Sequence, residues 1–205
     1  MNPTLFHAPD SRSGAVRILL EELGINYDLH VLDLKRKEQR DAAYLAVNPM
    51  GKVPAILHDG VLVTEQPAIF IYLADLVPQA GLAPALDDPL RGAWLRWIAF
   101  YGSSFEPAII DRALQRAPAP PSLSPYGDYD TMLATFTAQL RAGPWLLGER
   151  FSSADILWGS ALGWMTVFGL VPKLPEIVAY VERLQARPAA RKAAAADAAL
   201  AAAKA

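Results

Sequence analysis

Glu65 and Gln66 stand where a hairpin runs into a helix, and this corner holds the chain's best candidates for ligand chemistry. Two apolar runs, Val53 to Leu57 and Val61 to Val63, flank His58-Asp59-Gly60. Asp-Gly between apolar runs predicts a tight hairpin, because glycine tolerates the positive φ of a primed turn. Pro67 suits a first helical turn, and Ile69, Tyr72, Leu73 and Leu76 follow at helical spacing. A helix N-terminus presents free N–H groups and attracts anions, so the residues that open this helix are placed to hold a small ligand.

Other chemistries are narrowed by composition. The chain has no cysteine, which excludes disulfides, a cysteine nucleophile and thiolate metal sites together. His7, His30 and His58 show no metal-ligand spacing, and no metal is expected. The serines, histidines and acids lack a G-x-S-x-G elbow, which argues against hydrolase chemistry. A net charge of -2 argues against nucleic acid as a partner. No basic-then-apolar leader and no bilayer-length apolar run is visible, so a soluble, cytoplasmic protein with no membrane partner is expected.

The elements that must position the corner follow from periodicity. Of the 205 residues, 53% are hydrophobic and 20% charged, enough for a sizeable core in one large domain or two small ones. Thr4-Leu5-Phe6 predicts a strand that opens into a loop. Val16, Leu19, Leu20 and Leu23 predict a helix from Ser13, stopped by Gly24. Ile25 to Leu32 alternates as a second strand, and Asp33 to Asp41 leads through an exposed, irregular helix towards Asn48-Pro49. The order is β-α-β-α-β-β-α, a small mixed four-stranded sheet with helices on both faces.

Beyond Val77 the character changes. Pro78, Gly81, Pro84 and Pro89 mark a linker, and every later periodic segment is helical. Stripes run through Leu90, Trp94, Trp97, Ile98 and Tyr101, through Tyr129, Leu133, Phe136 and Leu140, and through Ile177, Tyr180, Val181 and Leu184. Phe151-Ser-Ser-Ala-Asp155 is a capping box that opens a helix apolar nearly all round, the expected core helix. The Ala-rich tail after Pro188 has helix propensity but little apolar surface, and a frayed terminal helix is expected. The division is residues 1–77 as an α/β domain, 78–88 as linker and 89–205 as an all-α helical domain.

An α/β unit of this order, with Val53-Pro54 at its third strand, resembles the thioredoxin fold. The segments Asn48-Pro-Met-Gly-Lys-Val-Pro54, Thr64-Glu-Gln-Pro-Ala-Ile69 and Phe151-Ser-Ser-Ala-Asp-Ile156 lie in register with both domains. Together they make the chain similar to the cytosolic glutathione transferases, of the bacterial, Ser-type kind, with a thioredoxin-like N-terminal domain and an all-α C-terminal helical bundle. The resemblance implies a cis Val53-Pro54 bond, with the backbone of Val53 pairing the cysteinyl part of glutathione. It implies Glu65 for the γ-glutamyl ammonium, beside the plainer reading that it complements the helix dipole, and Gln66, where the family usually has serine, for the carboxylate; Lys52 either pairs with the glycyl carboxylate or is a solvated surface lysine.

The same resemblance puts the thiol-activating group in Ala8-Pro-Asp-Ser-Arg-Ser-Gly14. A hydroxyl donor there lowers a thiol pKa by favouring the thiolate, and a helix N-terminus assists. The loop has no tyrosine. Ser11 is the favoured donor, Ser13 the alternative donor or a helix cap, and Arg12 an electrostatic aid or a solvent-facing side chain. Tyr101 and Phe105 are the candidates for the electrophile pocket, beside the plainer reading that they are core. The implied activity is conjugation of glutathione, the co-substrate, to small hydrophobic electrophiles in detoxification, by a homodimer. A non-catalytic binding or assembly module is the alternative, as is a peroxidase, disulfide reductase or isomerase on the same fold.

Overall fold

The computed structural model describes residues 1–203, which form two compact units. The first comprises Met1–Ala80 together with residues 186–203; the second is Gly81–Gln185.

In the first unit the predicted order is present: β1 (Thr4–His7), α1 (Ser13–Leu23), β2 (Asp28–Val31), α2 (Ala42–Leu45), β3 (Ala55–His58), β4 (Val61–Val63) and α3 (Gln66–Leu76). The four strands lie in the order β2-β1-β3-β4. β1 pairs with β2 in parallel, and β3 pairs antiparallel with both β1 and β4. The hairpin turns at Asp59 and Gly60, both at positive φ (49° and 78°), as a two-residue primed turn requires. Gly24 ends α1 in the left-handed region. The irregular charged segment contains a 3₁₀ turn, Glu38–Arg40, just before α2.

Period-two alternation in β1 distributes its side chains between two faces. Phe6 packs with Leu32, Tyr44 and Ala55 on one face. Leu5 and His7, both fully buried, share the other.

The second unit is helical: α4 (Arg91–Phe100), α5 (Glu106–Ala113), α6 (Tyr129–Arg141), α7 (Ser153–Val167) and α8 (Pro175–Gln185). A π-helical stretch, Tyr101–Phe105, joins α4 to α5, and the apolar periodicity of that region did not signal it. Asp155 sits fully buried at the start of α7. Its carboxylate accepts from the Ser152 and Leu146 N–H groups (2.8 Å each) and from Tyr180 Oη (2.8 Å). Burial pushes this carboxyl above the usual range, against the pull of those donors. Trp158 of α7 stacks on Phe136 with ring centroids 4.0 Å apart, which makes α7 the core helix, as its composition implied.

The tail differs from expectation. Rather than fraying, it forms α9 (Pro188–Ala202), which packs on α1 within the first unit. Ala190 and Ala193 are buried, and small side chains let two helices approach closely. Charge supplies the anchoring that apolar surface does not: Arg187 pairs with Glu22, Lys192 with Glu21, and Asp197 with Arg17.

Candidate functional site

Two segments of the first unit carry the site: the loop from β1 to α1, and the corner where β4 enters α3. The corner has an unusual backbone. Glu65 precedes α3 at φ 61°, ψ 118°, a conformation that a side chain makes costly, about 1–3 kcal/mol. Its side chain is exposed. Gln66 begins the helix and is buried, with Nε2 donating to the Arg12 carbonyl at 2.9 Å. The amide at the position where serine was the norm therefore ties the corner to the β1–α1 loop. Sequence reasoning treated Gln66 only as a ligand contact; nothing local to the motif signals this tie.

The stretch before β3 is held from below. Tyr44 Oη and Asn48 Nδ2 both donate to the Lys52 carbonyl, at 2.6 and 2.9 Å. The Val53–Pro54 peptide bond is cis. Lys52 is exposed, Val53 half-buried and Pro54 buried, so the first two are open to a ligand and the third is framework.

The loop separates its two serines. Ser11 is half-buried and Ser13 fully buried, while Arg12 between them is exposed. Ser13 Oγ accepts from the Ala8 N–H at 3.0 Å and lies 2.7 Å from Ser11 Oγ. It also lies 2.8 Å from His7 Nδ1. Ser11 Oγ accepts from the Ser13 N–H at 3.2 Å and is 2.7 Å from the Ala8 carbonyl. Ser11 therefore holds the outward position and accepts from the first N–H of α1, and Ser13 anchors the loop to the end of β1.

His7 was set aside in the sequence for want of metal spacing, yet it is the centre of this arrangement. Its Nε2 lies 3.2 Å from Asp197 Oδ1 of α9, in a contact too bent to be a well-aligned hydrogen bond. Burial opposes ionisation of Asp197, but the neighbouring His7 and Arg17 outweigh it and hold the carboxyl below its usual range. Arg17 also donates to Tyr27 Oη at 3.3 Å. Asp197 is the only acidic residue after Glu182, a faint signal with no local pattern to link it to His7.

The remaining candidates lie in the helical unit. Tyr101 and Phe105 are 2% and 1% exposed and pack on Trp158 at centroid distances of 5.6 and 4.8 Å. Tyr101 Oη donates to Glu106 Oε1 at 2.9 Å. Both rings are thus core residues in this structure. His58 is likewise structural: Nε2 donates to the Met1 carbonyl (3.0 Å), leaving Nδ1 to accept from Tyr72 Oη (2.6 Å). Among the described residues no group of three or more His, Asp or Glu is placed to hold a metal ion, and no helix is long and apolar enough to cross a membrane.

The first unit is a thioredoxin-like sheet with its helices and the second is helical, and both the hydroxyl-bearing β1–α1 loop and the acidic start of α3 belong to the first. Residues 1–75 match the family described as "Glutathione S-transferase, N-terminal domain", and residues 127–188 match "Glutathione S-transferase, C-terminal domain". The chain belongs to the glutathione S-transferase family. It is 32% identical to the Glutathione S-transferase GstA of Escherichia coli O157:H7 over 90% of this chain and 93% of that protein. Among solved structures it is similar to a glutathione transferase from Methylococcus capsulatus (TM-score 0.81, 35% identity, 96% of this chain and 98% of that one). It is also similar to a sphingomonad glutathione S-transferase complexed with glutathione (TM-score 0.78, 33% identity, 95% and 98%).

Proposed function

We propose that the protein is a Ser-type glutathione transferase that conjugates the glutathione thiolate to small hydrophobic electrophiles. The observation that carries this reading is Ser11, a half-buried hydroxyl at the start of α1 in a chain without cysteine. Disulfide exchange through a protein thiol is closed to such a chain, whereas hydrogen-bond stabilisation of a bound thiolate is open to it. Ser11 donates to the sulfur, and the exposed Arg12 adds positive charge nearby.

The backbone of Val53 pairs the cysteinyl part of glutathione, and Lys52 takes the glycyl carboxylate. Glu65 takes the γ-glutamyl ammonium, and the backbone N–H of Gln66, at the helix start, takes the γ-glutamyl carboxylate. Its side-chain amide reaches Arg12 instead. Tyr101 and Phe105 are buried core residues of the helical unit and are not assigned to the electrophile. The working form is a homodimer, and the setting is the cytoplasm.

Retention on immobilised glutathione, followed by conjugation of a chloronitroaromatic, tests the reading. Retention with turnover is the expected result. A folded protein with neither is not a transferase; retention without turnover points to a binding module.

A further inference from the structure

Ser11, Ser13, His7 and Asp197 form one continuous line from the half-exposed edge of the loop to the buried interface of β1, α1 and α9. The steps are 2.7 Å from Ser11 Oγ to Ser13 Oγ, 2.8 Å from Ser13 Oγ to His7 Nδ1 and 3.2 Å from His7 Nε2 to Asp197 Oδ1. Asp197 only accepts, so the nearer nitrogen, Nε2, carries a proton in neutral His7, and Nδ1 accepts from the Ser13 hydroxyl. His7 is fully buried, and beside Asp197 its Nε2 has no straight hydrogen bond among the described residues. A buried imidazole with a carboxylate set against its far nitrogen is poorly arranged for a static neutral role. Its Nδ1 stands at the inner end of the hydroxyl line as the acceptor, with the carboxylate beside the opposite nitrogen.

We propose that His7, held by Asp197, is the buried acceptor of the glutathione thiol proton, which reaches it through Ser11 and Ser13. This rests on the transferase reading above. The step balances as a shift of protons along three hydrogen bonds. The S–H bond breaks and its proton joins Ser11 Oγ; the Ser11 proton moves to Ser13 Oγ, and the Ser13 proton to His7 Nδ1. The sulfur keeps the electron pair, so the products are a thiolate and an imidazolium.

The Ala8 carbonyl, 2.7 Å from Ser11 Oγ and 3.1 Å from Ser13 Oγ, competes for the hydroxyl protons, so the shift begins when Ser11 turns its proton from that carbonyl to Ser13. Before it, Ser13 Oγ accepts from the Ala8 N–H and from Ser11, and donates to His7. After it, Ser13 Oγ accepts from Ala8 and from His7, and donates to Ser11. Ser11 Oγ accepts from the Ser13 N–H throughout and finishes as a donor to the thiolate.

The surrounding charges favour the product. On α9, Asp197 faces the ring; on α1, Arg17 grips Asp197 and is itself bonded to Tyr27, which donates to Glu21, while Lys192 of α9 pairs with Glu21. The cation Arg17 keeps Asp197 ionised and aimed while Asp197 stands between it and His7. Gly14 leaves the room: a Cβ there would sit 3.2 Å from Asp197 Oδ2.

The test reads the ionisation of bound glutathione from the ultraviolet absorbance of its thiolate across pH, with calorimetry for glutathione affinity and circular dichroism for folding. In Asp197→Asn the bound thiol should titrate about one pH unit higher than in wild type, a roughly tenfold loss of thiolate on the acid side. The kcat/KM profile should move with it, and His7→Gln should shift both at least as far. Lys192→Gln, which loosens α9 without touching the line, should leave both unmoved.

Bound glutathione with an unshifted thiol in both Asp197→Asn and His7→Gln overturns this inference and leaves the transferase reading standing. Loss of glutathione binding in a folded Asp197→Asn assigns the pair to binding and overturns it too. If His7→Gln fails to fold, Asp197→Asn decides alone. Wild type that does not bind glutathione at all ends both readings.

Discussion

The two loop serines differ in burial, and replacing each by alanine should separate chemistry from scaffolding. Ser11 is half-buried, and the Ala8 carbonyl to which it donates also has Ser13 Oγ as a second donor at 3.1 Å. Ser11→Ala should therefore cost less than about 1 kcal/mol of stability. Its effect on turnover should be far larger. A hydrogen bond to a charged group contributes about 1.5–3 kcal/mol, so losing the donor to the thiolate lowers kcat/KM by roughly 10–150-fold. Ser13 is fully buried, and its Oγ satisfies the Ala8 N–H and His7 Nδ1 together. Ser13→Ala strands both, at about 1–3 kcal/mol each before relaxation, or about 2–4 kcal/mol in total. In a chain of this size that is a fall in Tm of about 5–15 °C. Thermal melts followed by circular dichroism, paired with conjugation kinetics, check both halves. An active Ser11→Ala enzyme refutes Ser11 as the donor to sulfur; a Ser13→Ala protein that melts like wild type refutes the claim that Ser13 carries the loop.

Three further outcomes are expected. Glu65→Gly relieves a backbone at φ 61°, ψ 118°, so the protein should melt no lower than wild type while calorimetry shows weaker glutathione binding. Asp155→Ala leaves the Ser152 and Leu146 N–H groups and Tyr180 Oη without their acceptor, a loss of at least about 3 kcal/mol, seen as a lower urea midpoint or as insoluble expression. Asp197 has a depressed pKa when folded, so its contribution is fully present above the unfolded value of roughly 3.9 and is lost as pH falls through the folded value. Hydrogen exchange in α9 should therefore accelerate below about pH 4 in wild type, and an Asp197→Asn protein should show no such step.

Local rules made the first unit legible almost element by element. The Asp59-Gly60 turn, the Gly24 stop and the apolar stripe of α1 each act within a few residues, where turn chemistry and helical period dominate. The buried start of α7 was equally visible, because Ser152 and Asp155 meet across one helical turn. Three features depend on contacts between residues distant in sequence, and no pattern announced them. The π-helical stretch at Tyr101–Phe105 departs from α geometry inside an apparently regular stripe, where both rings are packed on Trp158. The docking of α9 was hidden because alanine reads as weakly anchoring, while its ion pairs join residues up to 180 positions apart. His7 lacked any neighbour in sequence that could suggest a role, since its partners Ser13 and Asp197 come from α1 and α9.

Contacts from two sides hold the loop that carries Ser11. From the α3 side, Gln66 holds the Arg12 carbonyl; from the sheet side, Ser13 is tied to His7 and to the Ala8 N–H. Ser11 lies between these two fixed points, so its hydroxyl is set in place before any ligand arrives. Ordering a mobile side chain at binding costs about 0.5–1.5 kcal/mol, and a loop fixed in advance avoids that loss. On the proposed reading, the glutamine at position 66 gives up a side-chain contact with the ligand and stiffens the loop through its bond to the Arg12 carbonyl instead. The exchange is favourable where the backbone N–H at the helix start still meets the ligand's carboxylate, because that group does not depend on which side chain follows it. On this argument Gln66→Ser should not behave as a simple improvement in binding. It restores a hydroxyl at the corner but releases Arg12, and its cost should appear in kcat more than in glutathione affinity.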